Sequence, residues 1–315
     1  MQTSQTVTGR FAPSPSGRMH LGNLLCSLLA WLSARHAGGR VVLRIEDLDP
    51  ERCPRHFADQ LEEDLAWLGL VWDEGGSAGG PQYYQSERTA IYQKALDQLD
   101  AKGLVYPCFC SRAQVHAASA PHRSDGQAIY PGTCRALTPE QRAARALKRS
   151  PATRLMVPDE QLPFVDGHMC PYSENLFRDC GDFILRRSDG VFAYQLAVVV
   201  DDAAMGVTQV VRGSDLLTSS VRQSYLYRLL GLPVPEVCHV PLLLGSDGHR
   251  LAKRSGDIGL EELQSRCTPE EVIGRLAYLV GQQPDPSPCT AKSLIGRFDW
   301  NKVPTEDIRL PDGLF

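Results

Sequence analysis

His20 and the glycine two positions after it are the residues best placed to do chemistry near the start of the chain. The loop Pro13-Ser14-Pro15-Ser16-Gly17 turns the backbone sharply, and His20-Leu21-Gly22-Asn23 then opens an apolar run at helical spacing. A helix beginning there offers unpaired N–H groups, the positive end of its dipole and an imidazole together, which suits a polyphosphate. Taken alone, HxG reads equally as a capped helix with an incidental histidine. A second set is Cys108, Cys110 and Cys134. Two cysteines at CxC spacing and a third about two dozen residues on suit tetrahedral Zn²⁺ but leave a fourth ligand to be found. By general metal chemistry, His116 and His122 are the commoner donors for that place. Glu46, beside Asp47 at the end of the apolar run VVLRIE, is a third candidate, because ligands sit beyond the carboxyl ends of strands in an open α/β sheet.

These groups need a scaffold, and the first hundred residues supply an alternation of strand and helix. TVTGRFA reads as a short strand, LGNLLCSLLAWLSARH as a helix stopped by Gly38-Gly39, and VVLRIE as a buried strand, which together make a βαβ unit. A second helix is entered through Pro54 in its first turn, with Phe57, Leu61, Leu65 and Leu68 on one face. The fold class expected is α/β, a Rossmann-type doubly wound parallel sheet. From 107 to 189 the rhythm changes to cysteines, Pro and Gly breaks and a basic helical stretch over Thr138–Ser150, and this reads as an insertion weak in apolar pattern. DFILRR, YQLAVVVDDAAMG, TQVVRG, a helix over 216–230 and HVPLLL then complete the sheet. The expected organisation is a catalytic domain over 1–245 with its insertion at 107–189, then 246–315 as a basic loop, a small helical region broken by QQPDPSP, and a polar tail.

The 315 residues are 43% apolar and 22% charged, an ordinary globular composition without repeats. No signal-like h-region or membrane-spanning apolar run is present, so the expected address is the cytoplasm and the ten cysteines are expected to be mostly reduced. A formal charge of -4 gives no overall pull on polyanions, so any nucleic acid must be met by local basic patches.

Arg10-Phe11-Ala12-Pro13-Ser14 through Asn23, followed by LRIEDLDPER, DLAWLGLVWDE and YQSER, resembles the class I glutamyl-tRNA synthetases phrase by phrase. The family's first ATP signature, ideally His-Ile-Gly-His, stands here as His20-Leu21-Gly22-Asn23. Its second, ideally Lys-Met-Ser-Lys-Ser, matches the stretch from His249 to Gly256, with Lys253 on the essential lysine and departures at Arg250 and Ala252. The resemblance implies that His20, Gly22, Asn23 and Lys253 bind ATP, which arrives with Mg²⁺. It also implies that His20 and Lys253 are catalytic, stabilising charge as pyrophosphate leaves. It implies L-glutamate as substrate, held by Arg10, Phe11, Ala12, Pro13, Ser14, Glu46, Tyr194 and Arg212. The chemistry of those residues agrees: the arginines match two carboxylates, Glu46 matches the ammonium, and Tyr194 adds a hydroxyl. Which arginine takes which carboxylate stays open. Longer family members carry Asn where this chain has Val198, and a missing hydrogen bond to a charged ligand would weaken glutamate binding by about 1.5–3 kcal/mol.

The chain ends shortly after Lys253, where long relatives continue into a region that reads the anticodon. In this it is similar to the short glutamyl-synthetase-like proteins, whose fourth zinc ligand is the tyrosine four residues before the last cysteine, here Tyr130. The resemblance therefore implies a structural Zn²⁺ on Cys108, Cys110, Tyr130 and Cys134. It further implies activation of glutamate without tRNA, transfer to the queuosine base of tRNA(Asp), and action as a monomer. Two other readings stand beside it: a short synthetase charging the 3′ end of tRNA(Glu), and a non-catalytic RNA-binding paralogue. The retention of Arg10, His20, Glu46, Tyr194, Arg212 and Lys253 together disfavours the last.

Overall fold

A computed structural model describes residues 6–118, 129–245, 248–249 and 259–315. Strand β1 (Thr8–Phe11) and helix α1 (Leu21–His36) lead to β2 (Arg40–Leu43), which pairs parallel to β1 in register. Leu21, Leu24, Leu25, Leu28, Leu29 and Leu32 are all buried along α1, as the helical spacing dictates. Gly9 lets α1 sit tight on β1, since a Cβ there would meet that of Ala34 at 3.0 Å. Pro54 is the N-cap of α2 (Arg55–Trp67) rather than a first-turn residue, and Ala58, Leu61 and Leu65 form its buried face, with Phe57 only half-buried. A short β3 (Glu74–Gly75) extends the parallel sheet on the far side of β2.

After α3 (Thr89–Ala101) comes β4 (Val105–Cys108), and then α4 (Pro139–Ala146), β5 (Ala152–Leu155), β6 (Gln161–Phe164), β7 (Tyr172–Asn175) and β8 (Ile184–Arg186). These strands are antiparallel, in a sheet β4-β5-β8 and a hairpin β6-β7, and the antiparallel region starts at Val105, beside the expected start of the insertion at 107. It is also better packed than its sequence suggests. Leu155, Leu162, Phe164, Leu176 and Leu185 are buried in one core with the helices that follow. The alternation is real, with Leu162 and Phe164 in and Gln161 and Pro163 out, but each strand is too short for period two to stand out.

The parallel rhythm resumes with α5 (Tyr194–Ala204), β9 (Gln209–Gly213), α6 (Leu217–Leu230) and β10 (Glu236–Val240), β9 and β10 pairing parallel. Thr208 N–H donates to the Thr8 carbonyl at 3.0 Å and Thr8 N–H to Thr208 Oγ1 at 2.8 Å, which lays β9 beside β1. The parallel order is therefore β3-β2-β1-β9-β10. Its switch point lies between β1 and β9, and a doubly wound sheet opens its ligand crevice at that place.

The remainder is not a separate body. β11 (Leu243–Leu244) pairs with β12 (Ile308–Arg309) near the end of the chain. Leu260 and Leu263 of α7 (Leu260–Arg266) and Val272, Ile273 and Leu276 of α8 (Pro269–Leu279) share the core of α1 and α2. The tail, expected to be polar, also packs there through Leu310, Leu314 and Phe315. Among the described residues no helix is long and apolar enough to cross a membrane.

Candidate active site

The crevice at the carboxyl ends of β1 and β9 holds a cavity of about 490 Å³. The structure brings Arg10, Phe11, Ala12, Pro13, Ser14, His20, Gly22, Asn23, Glu46, Tyr194 and Arg212 to its walls. Lys253 lies outside the described residues, as do Arg250 and Ala252. The described chain on either side of them does reach the cavity: Leu243 lines it, and Gly259 forms a bridge with His20.

His20 is the N-cap of α1. Its Nδ1 accepts from Gly22 N–H at 3.2 Å, and Asn23 Oδ1 accepts from His20 N–H at 3.3 Å, a reciprocal cap that satisfies donors at both residues. With Nδ1 accepting, the proton of the neutral ring sits on Nε2. A Cβ on Gly22 would meet His20 Cε1 at 3.1 Å, so the close approach that this glycine permits is that of the imidazole itself.

Beneath the cavity lies a balanced charge network. Arg44 is fully buried, with Nη1 2.5 Å from Asp202 and Nη2 2.9 Å from Glu46. Arg44 and Glu46 thus form an ion pair in the interior of the protein. Arg10 Nε is 3.5 Å from Asp202, and Arg88 Nε is 2.6 Å from Asp201, which also accepts from Tyr92 and Gln85. Arg10, Arg44 and Arg88 face Glu46, Asp201 and Asp202, so the buried charges cancel. Burial still pushes the Glu46 carboxyl up, with Arg44 offsetting only part of the effect.

Arg212 is different. It is buried, and its partners are all neutral: His239 Nε2 at 3.3 Å, Tyr194 Oη at 3.3 Å, Gln223 Oε1 at 2.7 Å and Ser220 Oγ at 2.5 Å. Among the described residues no carboxylate comes within ion-pair distance of it. A buried guanidinium held by neutral acceptors at a cavity wall is prepared for an anionic ligand. Cys26 also lines the cavity, and burial pushes its thiol up to about 11, so it stands there protonated and is no nucleophile. Val198 does not reach this wall; it is buried in the apolar core. Sequence reasoning missed Arg44, Asp201, Asp202, Asp166 and His239. The pair Asp201-Asp202 in the apolar run AVVVDDAA was a usable signal, because carboxylates there must find cations.

In the insertion, the Sγ atoms of Cys108, Cys110 and Cys134 all lie within 4.8 Å of one another, and none is in a disulfide. The Cys110–Cys134 separation is 3.6 Å, close to the roughly 3.8 Å edge of a tetrahedron with Zn–S bonds of about 2.3 Å. Tyr130 Oη is 3.3 Å from Cys108 Sγ and 3.9 Å from Cys110 Sγ. His122 lies outside the described residues, as does the side chain of His116. The three thiols therefore fit Zn²⁺, with the Tyr130 hydroxyl standing beside two of them.

The family described as tRNA synthetases class I (E and Q), catalytic domain, matches residues 6–306. The chain is 54% identical to a glutamyl-Q tRNA(Asp) synthetase of Symbiobacterium thermophilum, over 97% of this chain and 96% of that protein. It is 49% identical to one of Nitratidesulfovibrio vulgaris over the same shares. Among solved structures, it superposes with a TM-score of 0.84 on a glutamate tRNA ligase from Elizabethkingia meningosepticum in complex with its amino acid. That likeness has 29% identity and covers 98% of this chain and 68% of the other.

Proposed function

The chain belongs to the class I tRNA synthetases of the E and Q type, and we propose that it activates L-glutamate with ATP in the absence of tRNA and transfers it to the queuosine base in the anticodon of tRNA(Asp). The observation that carries glutamate is the presence, on the walls of one cavity, of Arg212, a buried cation with neutral partners, and of Glu46, a buried carboxylate at the edge of the Arg44 network. The acceptor is carried by the relatives spanned nearly end to end, whose names specify glutamyl-Q and tRNA(Asp).

Catalysis on this reading is positioning and charge stabilisation. Arg212 and Arg10 receive carboxylates, Glu46 and Tyr194 orient the amino acid, and the α-carboxylate attacks the α-phosphorus of ATP as pyrophosphate departs. His20, presenting Nε2–H from the start of α1, donates to the phosphates, and Lys253 stabilises the leaving group. Mg²⁺ that comes with ATP supplies neutralisation of phosphate charge. Cys108, Cys110, Cys134 and Tyr130 would hold a structural Zn²⁺, well apart from the chemistry in role.

Glutamate-dependent ATP–pyrophosphate exchange without tRNA tests the first half, and exchange that needs tRNA would contradict it. Lys253→Ala should slow it at least roughly tenfold, since loss of one positioned donor typically costs about 2.7–4 kcal/mol. For the second half, labelled glutamate should join tRNA(Asp) carrying queuosine and not tRNA(Asp) lacking it. Robust labelling of tRNA(Glu) instead would return the chain to the ordinary glutamate enzymes.

A further inference from the structure

Behind Arg212, away from the cavity, the insertion reaches into the parallel sheet. Asp166 and Gly167 run beside β10: Gly167 N–H donates to the Val237 carbonyl at 2.8 Å, and a Cβ on Gly167 would stand 2.6 Å from Cys238 Sγ. Only glycine allows so close a passage. It delivers Asp166 to His239, which is fully buried in β10.

Every atom of this contact has a defined role. Asp166 Oδ1 accepts from the backbone N–H groups of His168 at 2.9 Å, Met169 at 2.8 Å and His239 at 3.2 Å. Its Oδ2 meets His239 Nδ1. A carboxylate there obliges Nδ1 to carry the proton, which leaves Nε2 as an acceptor. Nε2 faces Arg212 Nε at 3.3 Å and Ser220 Oγ at 3.0 Å.

We propose that Asp166 and His239 are positioning residues for glutamate recognition: Asp166 fixes the imidazole tautomer, and His239 Nε2 then holds the Arg212 guanidinium at the angle that meets the substrate carboxylate. The inference rests on the reading that Arg212 binds glutamate. It gives the insertion a part in the active site, through one aspartate, that is separate from its thiol cluster. The electrostatics agree with the geometry. Burial lowers the pKa of His239 despite Asp166, which keeps the ring neutral. Burial works to raise that of Asp166, but its hydrogen bonds from His239, Met169 and His168 outweigh this and hold it ionised.

The test is glutamate-dependent ATP–pyrophosphate exchange, with the KM for glutamate and for ATP measured separately. Asp166→Asn is isosteric. Its carbonyl oxygen stays with the three backbone N–H groups, so its NH₂ faces His239 Nδ1, the ring proton moves to Nε2, and Arg212 loses its acceptor. The KM for glutamate should rise about tenfold, the effect of one hydrogen bond to a charged group, while the KM for ATP stays within about twofold. His239→Asn, which keeps a partner for Asp166 but offers Arg212 nothing, should behave alike. His239→Gln can place its carbonyl oxygen where Nε2 was and should recover most of the loss, which a merely structural role would not predict. Thermal melting with and without glutamate gives a second readout, in which the glutamate-induced shift should shrink for Asp166→Asn and His239→Asn. If the wild-type protein shows no glutamate-dependent exchange, or Arg212→Ala leaves the KM for glutamate unchanged, the underlying reading falls and this one with it. If Arg212→Ala raises that KM while Asp166→Asn and His239→Asn do not, the positioning role alone is overturned.

Discussion

Arg212 and Cys134 are both almost fully buried, yet their surroundings differ in kind. Four neutral groups of the protein hold the guanidinium, and the cavity beside it is floored by a charge network that cancels internally. The thiol has Cys110, the Tyr130 hydroxyl, the Phe109 N–H and one guanidinium, Arg145 at 3.7 Å, in a small cluster of Tyr106, Cys108, Phe109, Tyr130 and Cys134 with Cys110, Val115, Leu137 and Met156 packed against it. The first region is organised before its ligand arrives, because a large apolar core fixes strands and helices around it. The second has donors in place but little apolar area to hold them, so a metal there would contribute folding energy directly. Removing a group should therefore cost activity in the first region and stability in the second.

The largest break in that contrast should come from Arg212→Ala. Truncating one partner of a buried, hydrogen-bonded charge pair costs about 2–5 kcal/mol, so kcat/KM for glutamate should fall by roughly two to three orders of magnitude. Steady-state exchange kinetics measure it, and a fall of only a few fold would mean that Arg10 carries the recognition alone.

Metal removal comes next and should show the opposite pattern. Protein purified without chelator should contain about one zinc per chain, and a content near zero would refute the cluster as a metal site. Prolonged chelation should lower the melting temperature and expose the chain beside Cys108 and Cys134 to protease. Exchange activity assayed below the lowered transition should change less than the melting temperature implies.

A smaller effect joins the two regions through pH. His239 has a folded pKa below its ordinary value of 6.5, so the unfolded chain takes up its proton first. The stability linked to it is fully present above about 6.5 and is lost as pH falls from there through the folded value. Asp166 is likewise held below its ordinary 3.8 and adds its loss only in stronger acid. The groups facing the His239 ring are Asp166, Arg212, Ser220 and the edge of Phe164. Melting temperatures between pH 7 and 5 should decline for the wild type and decline less for His239→Gln. Parallel slopes would place the titration elsewhere.

The contrast also governs what the sequence made legible. The βαβ opening is readable because α1 is long and leucine-rich and β2 is a continuous apolar run, and the cavity's wall residues sit in contiguous phrases such as RFAPS. The insertion is hard to read because four-residue strands carry too few alternations to declare a period. The supports of Arg212 are harder still: Asp166 and His239 are 73 residues apart, and nothing in EVCHV marks its histidine as anything but an interior oddity. Local spacing reports a turn, a cap or a CxC pair, whereas a relay assembled between a β-hairpin and a parallel strand appears only once the chain has folded.

The smallest expected change is at Tyr130, and it sharpens the account of the thiol cluster. The phenol oxygen accepts from Cys134 N–H at 2.9 Å and stands 3.3 Å from Cys108 Sγ, while Arg154 stacks over the ring at 3.7 Å. Tyr130→Phe keeps the ring and its stacking and removes one oxygen. If that oxygen only packs, the buried Cys134 N–H loses its acceptor, and stability falls by about 1–3 kcal/mol whether or not metal is present. If it is the fourth ligand, the loss should appear mainly in the metal-loaded protein, as faster zinc release to a competing chelator with the three thiolates still retaining the ion. Zinc release rates and melting curves of wild type and variant, each with and without metal, separate the two. Equal destabilisation in both states with an unchanged release rate would leave Tyr130 a hydrogen-bond acceptor and send the search for the fourth donor to His116 and His122.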